Sequence, residues 1–422
     1  MKEITSAEFE TEVLAGGKVV LDFYSTECPP CEAVAPKFEG LAKLYGNDIK
    51  FVKMFRQENK PLAEKLGVRS SPTLLFFDNG VQSPVTLTGG IKRSDIISQL
   101  DSLLTKERVF EIKQEIKPTV SEFDVLILGA GPGGLTAGLY LCQAKVNTVL
   151  IDIALPGGHV STTHEVSNYP GFIDPQPGYL LSHNMSEQTK QCGTIYKVAV
   201  DVSKIDLEKK EVLVDEFETI RAKKIIIATG TSPNLMGISG EKELKGKGIS
   251  YCATCDAKYY GDKEVVVIGG GNSAVEEADF ISRFASKITM VHQFATLTAN
   301  KQAQEKLFAN PKISILFEHE PRSFVREGEK VLTDVEDLKT KTITKLTSDG
   351  VFVFIGMKPN IDLFREKLTL DTWGYIKTDE DMRTSMPGIY AVGDVISKKY
   401  RQITTAVADG TIAAIAIAKE LN

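Results

Sequence analysis

The sequence predicts an α/β protein of about three units. Three observations predict it. A chain of 422 residues is too long for one hydrophobic core. Short apolar runs of β-type alternate with helix-like stretches. Glycine, at 34 residues, is plentiful enough to supply several strand-to-helix turns of the kind that approach a nucleotide.

Composition narrows the function classes. With 42% apolar and 25% charged residues the chain reads as an ordinary globular protein. Its formal charge of −6 offers no basic field to a phosphate backbone, so no nucleic-acid partner is expected. Met1-Lys2-Glu3-Ile4-Thr5 leads into a polar, acidic stretch, and no apolar run approaches the roughly 18 residues of a spanning helix. A cytoplasmic location and no membrane partner follow as expectations. Six cysteines form two Cys-x-x-Cys pairs plus the singles Cys142 and Cys192, unlike the dense pattern of a secreted disulfide scaffold. The two pairs stand more than 200 residues apart, where a four-thiolate zinc site spaces them by about 15 to 20. His159, His164, His183, His292 and His319 show no metal-ligand spacing, and no metal is expected. Cys142 reads as a buried small hydrophobe, Cys192 as the same or a surface thiol, and Trp373 as a packing residue.

Lys18 to Tyr24 is a short apolar strand, followed by a turn into Cys28-Pro29-Pro30-Cys31 and a helix-like stretch from Glu32 to Leu44. Cys28 therefore stands at a helix N-terminus, where unpaired amides and the dipole stabilise thiolate over thiol. It is the expected attacking thiol, and Cys31 the resolving one. Ser71-Pro72 runs into the strand Thr73 to Phe77, then the turn Asp78-Asn79-Gly80 and another strand. With Asp22 six residues before Cys28, the block from residue 1 to about 105 resembles thioredoxin. That resemblance implies that Pro72 is a cis-proline facing the disulfide, and that Asp22 is the buried carboxylate handling the proton of Cys31. Glu27 and Pro29-Pro30 depart from the family's tryptophan before the first cysteine and its glycine-proline between the pair. The second proline fixes another φ, and Glu27 adds negative charge beside the thiolate.

Residues 106–121 are charge-rich, end near Pro118, and read as a linker. Phe123 to Leu128 then forms a buried-strand run feeding Gly129-Ala130-Gly131-Pro132-Gly133-Gly134, a helix from about Leu135, and a second strand ending in Asp152. In that context Gly129 permits the turn, Gly131 lets the backbone approach a pyrophosphate, Gly134 allows close helix packing, and Asp152 can accept from a ribose diol. Near the C-terminus Pro387 to Gly393-Asp394 is a strand ending, and Arg401-Gln402 opens a small-residue helix from Ile403 to Lys419. Asp394 can hold a ribityl hydroxyl there, and the helix N-terminus can face the reducible edge of a flavin.

Between these halves Glu264 to Ile268 leads into Gly269-Gly270-Gly271-Asn272-Ser273-Ala274, a helix, and a strand from Lys287 to His292, which is a second dinucleotide pattern. Just before it stands Tyr251-Cys252-Ala253-Thr254-Cys255-Asp256. These motifs, with Pro156-Gly157-Gly158-His159, Ala228-Thr229-Gly230 and Gly393-Asp394, resemble low-molecular-weight thioredoxin reductase over residues 122–422. The resemblance implies FAD in an outer domain, electron passage to Cys252-Cys255 with Asp256 as proton donor, and rotation of the inner domain. Which of the two cysteines attacks the partner stays open.

The expected architecture is thus a thioredoxin fold followed by two Rossmann-like, three-layer ββα nucleotide-binding domains, the FAD domain discontinuous. Its bounds are 1–105 for the thioredoxin-like domain, 106–121 for the linker, 122–235 and 358–422 for the FAD domain, and 236–357 for the NAD(P)H-binding-like domain. The donor site departs from the family. NADPH enzymes carry His-Arg-Arg and a further arginine after the second strand, whereas this chain reads His292-Gln293-Phe294-Ala295-Thr296-Leu297-Thr298. Poor NADPH preference follows. His292 or Gln293 is left to hydrogen-bond a 2′-hydroxyl of NADH, and reduced ferredoxin is a further possible donor. Expected partners are the chain's own thioredoxin domain, disulfide-containing proteins including a peroxiredoxin, and a second copy in a homodimer. A rival reading keeps the enzyme but makes the N-terminal domain an electron arm for a peroxiredoxin; a third makes the chain a flavin-bearing sensor without turnover.

Overall fold

Lys18–Tyr24 is a continuous apolar run because both of its faces are covered. Val19, Leu21 and Phe23 enter one buried cluster with Phe9, Val13 and Phe77, while Val20 enters another with Phe38, Leu41 and Ile96. The sheet runs in the order Lys2–Glu3, Lys50–Phe55, Lys18–Tyr24, Thr73–Asp78, Val81–Thr88, parallel up to Lys18–Tyr24 and antiparallel beyond it. Helices Pro29–Tyr45 and Arg93–Ser102 supply Phe38, Leu41, Ile96 and Leu100 to its core. The computed structural model describes residues 1–163 and 165–421, so His164 lies outside it.

The expected linker is mostly structured. Lys106–Gln114 is a helix whose first turn is capped by the Thr105 hydroxyl, which accepts from Arg108 N–H at 3.3 Å. Ile112 is fully buried in the same core as Phe38 and Leu100, and Arg108 pairs with Asp48 at 3.0 Å. Thr119–Leu128 is a single strand, which leaves only 115–118 outside regular structure. The charge density that suggests a connector is the solvated face of an amphipathic helix.

In Thr119–Leu128 the two-residue period sorts the side chains onto two layers. Val125 and Ile127 pack with Leu135 and Ala137 of Pro132–Gln143 and Ala413 and Ile417 of Ile403–Leu421. Leu126 and Leu128 pack with Val212, Val214 and Ile220 of an antiparallel layer. The sheet order is Ile195–Val198, Thr148–Asp152, Thr119–Leu128, Glu218–Ile227, Glu211–Val214, Val202–Asp206, and Ile389–Ala391 joins Glu218–Ile227 in parallel.

The middle of the chain repeats the plan. Five parallel strands lie in the order Ile249–Ser250, Gly350–Val353, Glu264–Ile268, Lys287–His292, Ile313–Phe317, beside an antiparallel sheet of His319–Glu327, Lys330–Asp337 and Ile343–Ser348. Val265 and Val267 meet Ala274, Val275 and Ile281 of the helix Asn272–Ile281, whereas Val266 and Ile268 meet Phe324, Val331 and Val335. The fold is therefore a thioredoxin fold followed by two three-layer α/β domains. The chain divides into two compact units, one of Met1–Ser161, Leu180–Gly230 and Ile361–Asn422, the other of Thr162–Tyr179 and Thr231–Asn360. Two units stand where about three are expected because the thioredoxin-like part packs onto the part built from 119–161, 180–230 and 361–422 within the first.

Two single residues differ from expectation. Trp373 is 80% exposed, held out by a turn in which Asp371 Oδ1 accepts from the backbone N–H groups of Trp373 and Tyr375. Cys142 is half-buried and donates to the Cys192 carbonyl at 2.6 Å, so it is a hydrogen-bonded thiol rather than an apolar filler. Among the described residues no helix is long and apolar enough to cross a membrane.

Candidate active site

The strand Lys18–Tyr24 and the helix Pro29–Tyr45 place the first dithiol at the turn between them. Cys28 and Cys31 are joined as a disulfide, and Cys28 Sγ accepts from Cys31 N–H at 3.2 Å as the helix N-cap. The same sulfur lies 3.6 Å from the Ser71 carbonyl oxygen, and the Ser71–Pro72 peptide is cis. Both cysteines are buried, Cys28 at 8% and Cys31 at 9% exposure. Asp22, on the central strand, has one carboxylate oxygen buried without a partner, and burial pushes its pKa up to about 7 against the opposing pull of Lys53. Ser25 Oγ stands 3.9 Å from Cys31 Sγ, a neighbour that no motif marks.

The second dithiol lies in the other unit. Cys252 and Cys255 are disulfide-bonded at the start of the short helix Ala253–Asp256, and Cys252 Sγ accepts from Cys255 N–H at 3.2 Å. Cys255 is exposed, Cys252 half-buried, and Asp256 follows directly. Two groups fix this segment that the sequence does not advertise. Ser250 Oγ accepts from Cys252 N–H at 3.1 Å. Fully buried Glu241 accepts from the Tyr251 hydroxyl at 2.6 Å and from the amides of Met236 and Gly237 at 2.9 and 2.6 Å.

The first glycine loop has the geometry of a pyrophosphate cradle. At Gly129, with φ of 111°, a Cβ would lie 2.3 Å from the Ala228 carbonyl oxygen, and at Gly134 one would lie 2.0 Å from that of Gly129. At Gly131 it would meet nothing within 4 Å, and at Gly158 it would meet the Gly131 Cα at 3.2 Å. The two glycine runs therefore face each other, with Gly157 N–H bonded to the Ala130 carbonyl at 2.8 Å. Pro132 and Gly133 open the helix, and His159 sits in a one-turn helix just beyond. Ala228-Thr229-Gly230 leaves the neighbouring strand Glu218–Ile227, with Gly230 at φ of 62° and open space beside it.

Asp152 has both oxygens engaged by backbone amides, Ala130 at 2.6 Å and Ala154 at 2.8 Å, so it fixes the loop itself. Asp394 is different. Its Oδ1 is buried with no hydrogen-bond partner, the Lys398 ammonium 3.8 Å away, and burial raises its pKa against Lys398, Arg401 and His159. An orphaned buried carboxylate oxygen at a strand end fits a ligand hydroxyl, and the residues present fit FAD. Arg401 donates to the carbonyls of Asp394 and Ile396, both at 3.2 Å, and lies over the Tyr375 ring at 3.7 Å. Gln402 N–H donates to Thr405 Oγ1 at 3.1 Å just ahead of the helix Ile403–Leu421.

In the second glycine loop Gly269 has φ of 130°, and a Cβ there would lie 2.2 Å from the Phe354 carbonyl oxygen and 3.0 Å from Ala274 Cβ. At Gly271 the nearest atom would be Thr298 Oγ1 at 3.7 Å, so that loop too is open to a ligand. Asn272 Oδ1 accepts from Asn300 N–H at 2.7 Å. His292 is 5% exposed, packs over Gly270, and has Nε2 3.0 Å from the Thr296 carbonyl, so its ring is occupied inside the fold. Gln293 is exposed, and no lysine or arginine stands between 292 and 300.

Comparison with known proteins agrees with this geometry. Residues 123–410 match the family model for pyridine nucleotide-disulphide oxidoreductase, and residues 1–102 match that for thioredoxin. A 34.2 kDa protein in the rubredoxin operon of Clostridium pasteurianum is 43% identical over 302 residues, covering 71% of this chain and 98% of that protein. The thioredoxin reductase of Peptoclostridium acidaminophilum is 43% identical, covering 69% of this chain and 95% of the relative. Among solved structures, Lactococcus lactis thioredoxin reductase in its FR conformation superposes with a TM-score of 0.67 at 36% identity, over 70% of this chain and 98% of that one. The T. acidophilum thioredoxin reductase gives 0.66 at 31% identity, over 71% and 99%. A backbone with two glycine loops, two dithiols and these relatives makes the chain a member of the pyridine nucleotide-disulphide oxidoreductase family, carrying a thioredoxin domain at its N-terminal side.

Proposed function

We propose that the chain is a flavin-dependent thioredoxin-disulfide reductase fused to its own thioredoxin, and that it passes reducing equivalents through Cys252-Cys255 to Cys28-Cys31 and on to disulfide-containing proteins. The observation that carries this is the presence, in one chain, of two Cys-x-x-Cys disulfides, each with its first sulfur accepting the amide of the second cysteine. A sulfur so placed is stabilised when it becomes thiolate, which makes it a good leaving group as well as a nucleophile.

FAD, held by Gly129, Gly131, Pro132, Gly133, Gly134, Asp152, Gly158, His159, Ala228, Thr229, Gly230, Gly393, Asp394, Arg401 and Gln402, would supply two-electron reduction of the Cys252-Cys255 disulfide by a pyridine nucleotide. From there the chain's own groups act. A thiolate of that pair attacks the Cys28–Cys31 disulfide; one S–S bond breaks as a mixed disulfide forms, and the second thiol of the attacking pair displaces Cys28-Cys31 as a dithiol. Asp256 donates a proton on the first side, and Asp22, with its pKa near 7, exchanges one on the second. Gly269, Gly271, Asn272, Ala274 and Gln293 bind the nicotinamide nucleotide, and the absence of cations after His292 favours NADH over NADPH. A homodimer, a peroxiredoxin among the outlets, a cytoplasmic location and the order of domains predicted from the sequence belong to the same proposal, with the first domain extended through the helix Lys106–Gln114.

The decisive experiment is anaerobic stopped-flow mixing with NADH, NADPH or reduced ferredoxin, following flavin absorbance near about 450 nm. NADH is expected to bleach it fastest, and Cys252→Ser is expected to abolish insulin reduction with NADH. Bleaching by no donor, or undiminished insulin reduction in that variant, ends the proposal.

A further inference from the structure

The helix that begins at Cys28 carries Lys37 two turns further on. Lys37 is 9% exposed and its ammonium donates to three backbone carbonyls, Ile91 at 3.0 Å, Val198 at 3.0 Å and Ala199 at 2.6 Å. Ile91 lies in the thioredoxin domain, whereas Val198 ends the strand Ile195–Val198 of the flavin half and Ala199 follows it with a left-handed φ of 51°. A buried ammonium is tolerated only when its protons are matched, and three carbonyls match all of them with no carboxylate in contact.

The surroundings are complementary. Lys92 pairs with Asp201 at 3.2 Å, the Arg93 guanidinium lies 4.9 Å from the centre of the Phe217 ring, and Glu32 is ion-paired with Lys190. Gly90 is close enough to Leu155 that a Cβ on it would lie 3.3 Å from Leu155 Cγ. Asp95 and Asp215 add negative charge around the Lys37 ammonium, opposed by Lys92. None of these residues belongs to either dithiol or to a glycine loop.

We propose that this face of the flavin half, centred on the Val198 and Ala199 carbonyls, is a docking surface whose occupant is the chain's own thioredoxin domain, with Lys37 as its latch. Because Lys37 shares a helix with Cys28 and Cys31, the latch restrains the dithiol as well, and exchange between docked and released states sets how often that dithiol is presented to outside proteins. Only this consequence rests on the proposed electron relay; the docking itself is measurable without turnover.

The test uses the full-length protein. Brief acylation with an amine-reactive ester followed by peptide mass spectrometry is expected to modify Lys37 at least about tenfold more slowly than exposed Lys43 of the same helix, a difference of roughly 1.4 kcal/mol in availability. Equal rates would overturn the proposal, whatever the enzyme's activity. Lys37→Glu is expected to enlarge the radius of gyration in small-angle scattering with circular dichroism unchanged, and an unchanged radius in the folded variant would count against the latch. Asp201→Lys attacks the same face from the flavin side, so it gives the same reading if the first variant misfolds.

Discussion

Asp22 shows what one buried carboxyl does to both stability and chemistry. Burial lifts its pKa to about 7, above an ordinary value of about 3.9. Between those values the folded chain keeps a proton that the unfolded chain has shed, so stability falls as pH rises from about 4 to 7 and stays lowered above it. Asp22→Asn removes that cost. Calorimetry should therefore show the variant gaining up to about 4 kcal/mol at pH 8, at roughly 1.4 kcal/mol per pKa unit, and nothing at about pH 4. Turnover should move the other way, losing its dependence on a group near pH 7. The cysteines are legible in the sequence because each pair comes with local spacing, whereas Asp22 and Pro72 are legible only through the resemblance to thioredoxin. Glu241, which steadies Tyr251 beside Cys252, and Ser25, beside Cys31, are not legible, because their partners are met only after folding. His292 is the instructive case: the sequence offers it to a nucleotide, and packing over Gly270 takes it away.

At the scale of elements, Gly131 and Gly134 of the first loop make opposite demands. Gly131→Ala adds a methyl group to open space, so the chain should fold and lose flavin affinity by a factor of about ten or more, read by the absorbance retained after gel filtration. Gly134→Ala pushes a methyl group against the Gly129 carbonyl, and it should lower the yield of folded protein as well. The stretch after the strand Lys287–His292 makes a second test. Restoring cations with Gln293→Arg and Thr298→Arg should raise kcat/KM for NADPH by about tenfold or more, since each charge-assisted contact contributes roughly 1.5–3 kcal/mol, and should leave the NADH value nearly unchanged. Strands with both faces buried are easy to read as runs of valine, isoleucine and leucine. The helix Lys106–Gln114 is hard to read for the converse reason. One fully buried residue, Ile112, anchors nine residues whose composition is otherwise that of a linker.

For the whole molecule, the order of the domains was readable from where each motif falls, while the packing between them was not. No local pattern announces that Lys37 finishes its hydrogen bonds on the flavin half, because the acceptors are plain backbone carbonyls some 160 residues away. The interrupted flavin sheet has one more consequence. Ile389–Ala391 closes beside Glu218–Ile227, a strand made some 160 residues earlier. At roughly 5–20 residues per second of translation, that edge waits on the order of 10–30 s on the ribosome for its neighbour. The N-terminal domain and the middle unit have all their strands by then, so a nascent chain holds two finished modules around an unfinished one. Gly393, Asp394, Arg401 and Gln402, proposed above to hold FAD, are made later still, so that site is complete only once the C-terminal segment has been synthesised.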